Sequence, residues 1–129
     1  MPEQCEKRER AVFKTCSACD MVWTRRAEML ADPYVQLVGY QVNLVEPGLG
    51  LLLFNHDLEE CGTTFSIEAH DFRDLYQGEI YETKLFGTEE CPEYCLHHGM
   101  LEACPRRCEC AWVREVLTII RNYPKQRFR

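Results

Sequence analysis

Chemistry in this sequence is concentrated in cysteine and histidine. Cys16 and Cys19 form a CxxC pair, and His56 and Cys61 follow as an HxxxxC pair. Further on, CPEYCLHHGMLEACPRRCEC packs Cys91, Cys95, Cys104, Cys108 and Cys110 around the adjacent His97 and His98. Thiolates and neutral imidazoles are the donors that hold zinc, and a CxxC turn brings two sulfurs to one side of a tight bend. The first candidate site is therefore Cys16, Cys19, His56 and Cys61, three thiolates and one imidazole. A structural zinc there would sit about 2.3 Å from sulfur and about 2.0 Å from nitrogen. Gly62, directly after Cys61, suits a backbone that curls its amides toward a thiolate through a positive φ.

The ligand pattern of this first set resembles zinc ribbons and zinc knuckles, which clip two turns together in structural or binding roles. The resemblance covers these four positions and departs from the usual pair of CxxC turns in having His56 and an HxxxxC spacing. A redox CxxC of the thioredoxin kind needs a strand-to-helix junction, and no strand is evident before Cys16. A covalent c-type haem needs CxxCH, whereas Asp20 follows Cys19.

The second group reads as two CxxxC pairs, Cys91/Cys95 and Cys104/Cys108, with LHHGMLEA as the connecting loop and Gly99 allowing its reversal. If a helix starts near Pro105, Cys104 and Cys108 lie about 40° apart on one face, while Cys110 lies about 160° from Cys108 and is set aside. Zinc, an iron-sulfur cluster and reversible disulfides all remain open for this group. Twin CxxxC pairs are also similar to those of small mitochondrial intermembrane-space chaperones, although eight intervening residues leave little room for the two helices of that family. His97 and His98 read as surface loop residues, and Cys5 as a free thiol in a frayed start spanning residues 1–12.

The elements that must position these groups come next. TRRAEMLADP reads as a short helix over 25–31, capped by Thr24 and stopped by Asp32-Pro33. VQLVGYQVNLV alternates as a half-buried strand with Val38, Tyr40, Val42 and Leu44 on one face. Beyond the EPGLG turn, LLLFNH reads as a buried strand, and TTFSIEA as a third with Phe65, Ile67 and Ala69 inward. HDFRDLYQG follows as a short helix, and EIYETKLF as a fourth, edge strand. The last helix, from Pro105 to RNYP, presents Cys108, Trp112, Val113, Val116, Leu117 and Ile120 at helical spacing. The fold class expected is α+β: an antiparallel sheet of three or four strands, a C-terminal helix packed on it, and cysteine-rich metal-binding turns in a single domain.

Composition bounds the rest. A chain of 129 residues can bury a core without staples, so nine cysteines, an odd number, point to metal or redox chemistry. The net charge of -6 disfavours nucleic acid, and basic patches such as Arg25-Arg26, Arg106-Arg107 and Lys125–Arg129 read as solvated surface. The polar start carries no secretory signal and no run is long enough to span a bilayer, so a cytoplasmic location is expected. No GxSxG, P-loop, GxGxxG or HExxH motif is present, and the acid pairs Glu59-Glu60 and Glu89-Glu90 read as solvated loops. The succession GYQVN, LFNH, CGTTFSIEA, DFRDLY and the cysteine-rich tail resembles small cysteine-rich bacterial proteins of unknown function over most of the chain. That resemblance implies no activity, fold or ligand beyond those the residues suggest. The reading is a zinc protein with one or two ions per chain, acting as a structural, interaction or regulatory module toward a protein partner. The alternative is a redox or electron-transfer protein working through residues 91–110 by an iron-sulfur cluster or reversible disulfides.

Overall fold

A computed structural model describes residues 12–126. The expectations for Cys5 and for a frayed start fall, except for Val12, outside the described residues. By contacts, the described residues group into two compact units, one of residues 12–36, 55–65 and 123–126 and the other of 37–54 and 66–122.

The first unit opens with a two-stranded ribbon. β1 (Lys14–Thr15) pairs antiparallel with β2 (Val22–Trp23), Lys14 opposite Trp23 and Thr15 opposite Val22. A strand therefore does precede Cys16, but it leads through a turn into an antiparallel partner rather than into a helix. α1 (Arg26–Ala31) follows, with Arg25 rather than Thr24 at the cap position. The Glu28 carboxylate accepts from the backbone N–H groups of Thr24 and Arg25, which fixes the entry to so short a helix. Asp32 ends it. One carboxylate oxygen accepts from Trp23 Nε1 at 2.9 Å and the other from the Tyr34 N–H at 2.8 Å. Trp23, Met29, Leu30, Val35 and Phe65 supply this unit's apolar interior. Lys125 ties the end of the described chain to it, donating to the carbonyls of Leu30 and Val35.

A three-stranded antiparallel sheet has the order β3 (Val35–Gln41), β4 (Leu51–His56), β5 (Thr64–Glu68), the meander expected from the short connections. Residues of these strands belong to both units. The inward set Phe65, Ile67 and Ala69 is buried as the alternation predicts, and so are Leu52, Phe54 and His56 of β4. In β3 the alternation breaks: Val38, expected inward, is 42% exposed, whereas Gly39 and Tyr40 are both buried. The cause lies in the covering loop, whose His98 carbonyl accepts from the Tyr40 N–H. Gly50 is obligatory for a close approach, since a Cβ there would lie 2.9 Å from the Tyr40 ring.

The second unit is completed by a 3-10 segment, Ala69–Leu75, where a short helix was expected, and by α2 (Ala111–Arg121). Trp112, Val113, Val116, Leu117 and Ile120 of α2 are buried, as their spacing predicts. The helix packs against the 3-10 segment, and its Arg114 lies over the Tyr40 ring of β3. The α+β class expected from the sequence is thus the one adopted.

Two expectations fail here for identifiable reasons. EIYETKLF forms no strand, because neither of its faces is buried; one backbone bond, from Glu109 N–H to the Thr83 carbonyl, and the Lys84 side chain anchor it instead. α2 begins at Ala111, not near Pro105, and Cys110 is its cap residue. Cys108 and Cys110, two apart, would diverge by about 160° in a helix. Both turn toward each other, so the backbone there is not helical.

Candidate metal centre

Two hairpin ends in the first unit carry the first set of donors. Cys16 directly follows β1, and Cys19 lies in the turn that leads to β2. His56 is the last residue of β4, and Cys61 lies in the loop before β5. Each loop is closed by one backbone bond across its base: Cys16 N–H to the Met21 carbonyl, and His56 N–H to the Thr63 carbonyl, both 2.8 Å. Each also turns on a left-handed residue immediately after its cysteine. Asp20 and Gly62 both have φ of 65°. At Gly62 an added Cβ would meet nothing within 4 Å, so the glycine serves the backbone angle rather than clearance, as its place after Cys61 predicts.

The result is a compact donor set. The four ligand atoms of Cys16, Cys19, His56 and Cys61 all lie within 4.8 Å of one another. Cys16 Sγ is 3.5 Å from Cys61 Sγ, and Cys19 Sγ is 3.7 Å from His56 Nδ1. Tetrahedral ligands at ordinary zinc distances would be separated by about 3.8 Å for two sulfurs and about 3.6 Å for sulfur and nitrogen. Both close separations are of that order, and the group could hold a metal ion. Cys16 and His56 are fully buried, while Cys19 is exposed. The edge-to-face Trp23 ring, 5.1 Å from the imidazole, helps orient His56, whose Nε2 is buried without a hydrogen-bond partner.

The electrostatics favour a bound cation. Burial pushes the Cys16 thiol up, but the backbone N–H groups of Cys19 and Ala18 and contacts from His56 and Cys61 bring it down to about 6. The Thr63 N–H favours the Cys61 thiolate, yet burial and the neighbouring Cys16 and Cys19 sulfurs leave that thiol raised. Adjacent sulfurs thus compete for negative charge, a conflict that a cation among them removes.

Cys91, Cys95, Cys104 and Cys108, the second set read from the sequence, all line one small cavity of the second unit, and so does Cys110. The close sulfur contacts run through Cys110, the residue that helical arithmetic set aside. Its Sγ is 3.4 Å from Cys95 and 3.6 Å from Cys108. Cys108 Sγ also accepts from the Leu85 N–H at 3.4 Å. Glu93, with φ of 65°, turns the chain between Cys91 and Cys95, and the loop from Cys95 to Cys104 turns at His98 and Gly99 as expected, the Met100 N–H donating to the His97 carbonyl at 3.0 Å without a positive φ at the glycine. His97 and His98 are exposed, in keeping with a surface loop. Contact with Cys110 lowers the Cys95 thiol to about 7 against the effect of burial, with further help from the Arg114 charge. Cys110 is pushed up, first by its bond to Cys95 and then by burial.

Sequence reasoning missed Arg114, which lies among apolar helix positions and is fully buried. Its Nε and Nη2 donate to the Glu102 carbonyl and Nη2 to the Met100 carbonyl, and its guanidinium lies over the rings of Tyr40 and Tyr94. At helical spacing Arg114 falls about 130° from the centre of the apolar stripe, so the periodic pattern carried no signal of its burial. Among the described residues no helix is long and apolar enough to cross a membrane. Compared with protein-family models, curated proteins and solved structures, the chain matches none. The likeness to ribbon and knuckle sites therefore rests on a cluster of four donors that could bind a metal.

Proposed function

We propose that this chain is a zinc protein in which Cys16, Cys19, His56 and Cys61 hold a structural ion that clips two hairpin ends together. The carrying observation is the mutual distance of the four donor atoms, all within 4.8 Å. A complete set of four protein ligands is the arrangement of structural zinc sites, whereas catalytic sites keep one position open for water or substrate. Three thiolates and one imidazole also suit zinc better than magnesium or calcium, which take oxygen ligands. The module serves a structural or interaction role in a reducing compartment, its fold stabilised by the ion and its outer surface meeting a protein partner.

The elements around the site explain why an ion is needed. β1 and β2 are two residues each and α1 is six, too short to persist on local hydrogen bonding. Coordination links Cys16 and Cys19 to His56 and Cys61, and structural zinc supplies about 10–16 kcal/mol in finger peptides near neutral pH. The test is metal analysis of protein purified anaerobically with reductant. Wild-type protein is expected to carry zinc, and Cys16→Ser to carry one equivalent less. Wild-type protein without metal, or a Cys16→Ser variant with unchanged content, defeats the proposal.

A further inference from the structure

We infer that the chain has a second thiolate metal centre, in which Cys95, Cys108 and Cys110 bind a soft divalent ion and one more thiol of the same cavity completes the set. Cys110 is the common neighbour of the other two, at 3.4 and 3.6 Å. These are close to the roughly 3.8 Å edge of a tetrahedral site with metal-sulfur bonds of about 2.3 Å. They are far longer than a disulfide bond of about 2.05 Å. A four-iron cluster takes one thiolate on each iron, which spreads its sulfurs further. Cys91 and Cys104 line the same cavity, and either can supply the fourth thiolate. The set is more open than the first, because Cys110 joins two sulfurs rather than closing a compact group. Binding draws Cys95 and Cys108 toward a common centre and releases the thiol protons to solvent.

Independent support comes from Arg114. A divalent ion held by four thiolates carries two net negative charges, which a buried site must balance. Arg114 is fully buried, yet its hydrogen-bond partners are the Met100 and Glu102 carbonyls, and its Nη1 is buried with no acceptor. Tyr94 links it to the site: the ring stacks on the guanidinium at 5.6 Å and lines the thiol cavity. The Leu85 N–H already donates to Cys108 Sγ, as amides do to metal-bound thiolates. The inference does not rest on the first centre.

The test counts metal by native mass spectrometry and elemental analysis on anaerobically purified full chain. Two equivalents are expected for the wild type, one for Cys110→Ser, one for Cys16→Ser and none for the double variant. If Cys110→Ser loses an equivalent while Cys16→Ser loses none, the second centre stands and the first falls. Unchanged metal in Cys110→Ser overturns the second centre, as does a Cys95–Cys110 disulfide in the reductant-treated wild type. Should the variant not fold, alkylation of the wild type followed by peptide mapping decides. Cys95, Cys108 and Cys110 are expected to be protected at least tenfold until a chelator is added, and equal labelling with and without chelator overturns the proposal. Single Cys91→Ala and Cys104→Ala variants identify the fourth ligand.

Discussion

The two cysteine groups differ in what supports them. In the first, each ligand pair is carried on a hairpin end, closed at its base by a backbone bond and turned by a left-handed residue at 20 or 62. In the second, Cys95 lies in a three-residue 3-10 turn (Tyr94–Leu96), the other cysteines lie on irregular chain before it and up to the cap of α2, and a buried arginine holds the intervening chain. Hairpin geometry places donors through the backbone, so spacing alone is informative. Loop geometry places them through tertiary contacts, so spacing misleads. The first set is also compact, with all four donors within 4.8 Å, whereas the second is linked through Cys110.

Perturbing each group separately sharpens the contrast. The largest effect is expected from removing the first centre alone, by Cys16→Ser. Stripping the first centre should melt β1, β2 and α1 while α2 keeps its packing, because α2 has a substantial apolar face of its own. Amide exchange should then show lost protection over 14–31 and retained protection over 111–121; equal loss in both would erase the distinction. The pH dependence has a definite sign. The Cys16 thiol is held down to about 6, so its thiolate contributes most above its ordinary value of 9.0 and loses that contribution as pH falls through about 6. Because protons compete with the ion for the thiolates, metal affinity at the first centre should weaken as pH falls, measured with a colorimetric zinc indicator.

Next in size is Arg114→Leu, which leaves the Met100 and Glu102 carbonyls without their donor. A loss of about 2–3 kcal/mol in denaturant unfolding is expected, with the first centre's metal retained. A loss under about 0.5 kcal/mol would show that the buried guanidinium is not what holds that loop. The smallest effect concerns one turn of the first site. Gly62→Ala should cost about 1 kcal/mol through its left-handed φ without removing a ligand, and a thermal melt of the zinc-loaded protein reads it. An unchanged melting temperature would mean that the turn relaxes to negative φ.

Much of this was legible along the chain, and particular residues explain where legibility stopped. Phe65, Ile67 and Ala69 could be read as inward because a strand alternates regardless of its neighbours. The buried stripe of α2 could be read for the same reason at helical period. Val38 could not, since a loop more than fifty residues later covers β3 from its other side. Nor could the start of α2: Pro105 is a good first-turn residue, but the thiols at 108 and 110 turn to one another and take that stretch out of the helix. Lys14–Thr15 was invisible as a strand because two residues carry no period.

The sequence by itself determined the α+β class, the meander, the apolar face of the last helix and the donor chemistry available to this protein, because these follow from residue type and local repeat. Only the tertiary structure decided which donors meet. It brought Cys16 and Cys19 to His56 and Cys61 across some forty residues, made Cys110 the common neighbour of Cys95 and Cys108, and set a buried arginine beside them. The physical reason is that a ligand set is a coincidence in space. Local propensity orients each side chain relative to its own backbone, and only the packing of distant segments brings those side chains to one point.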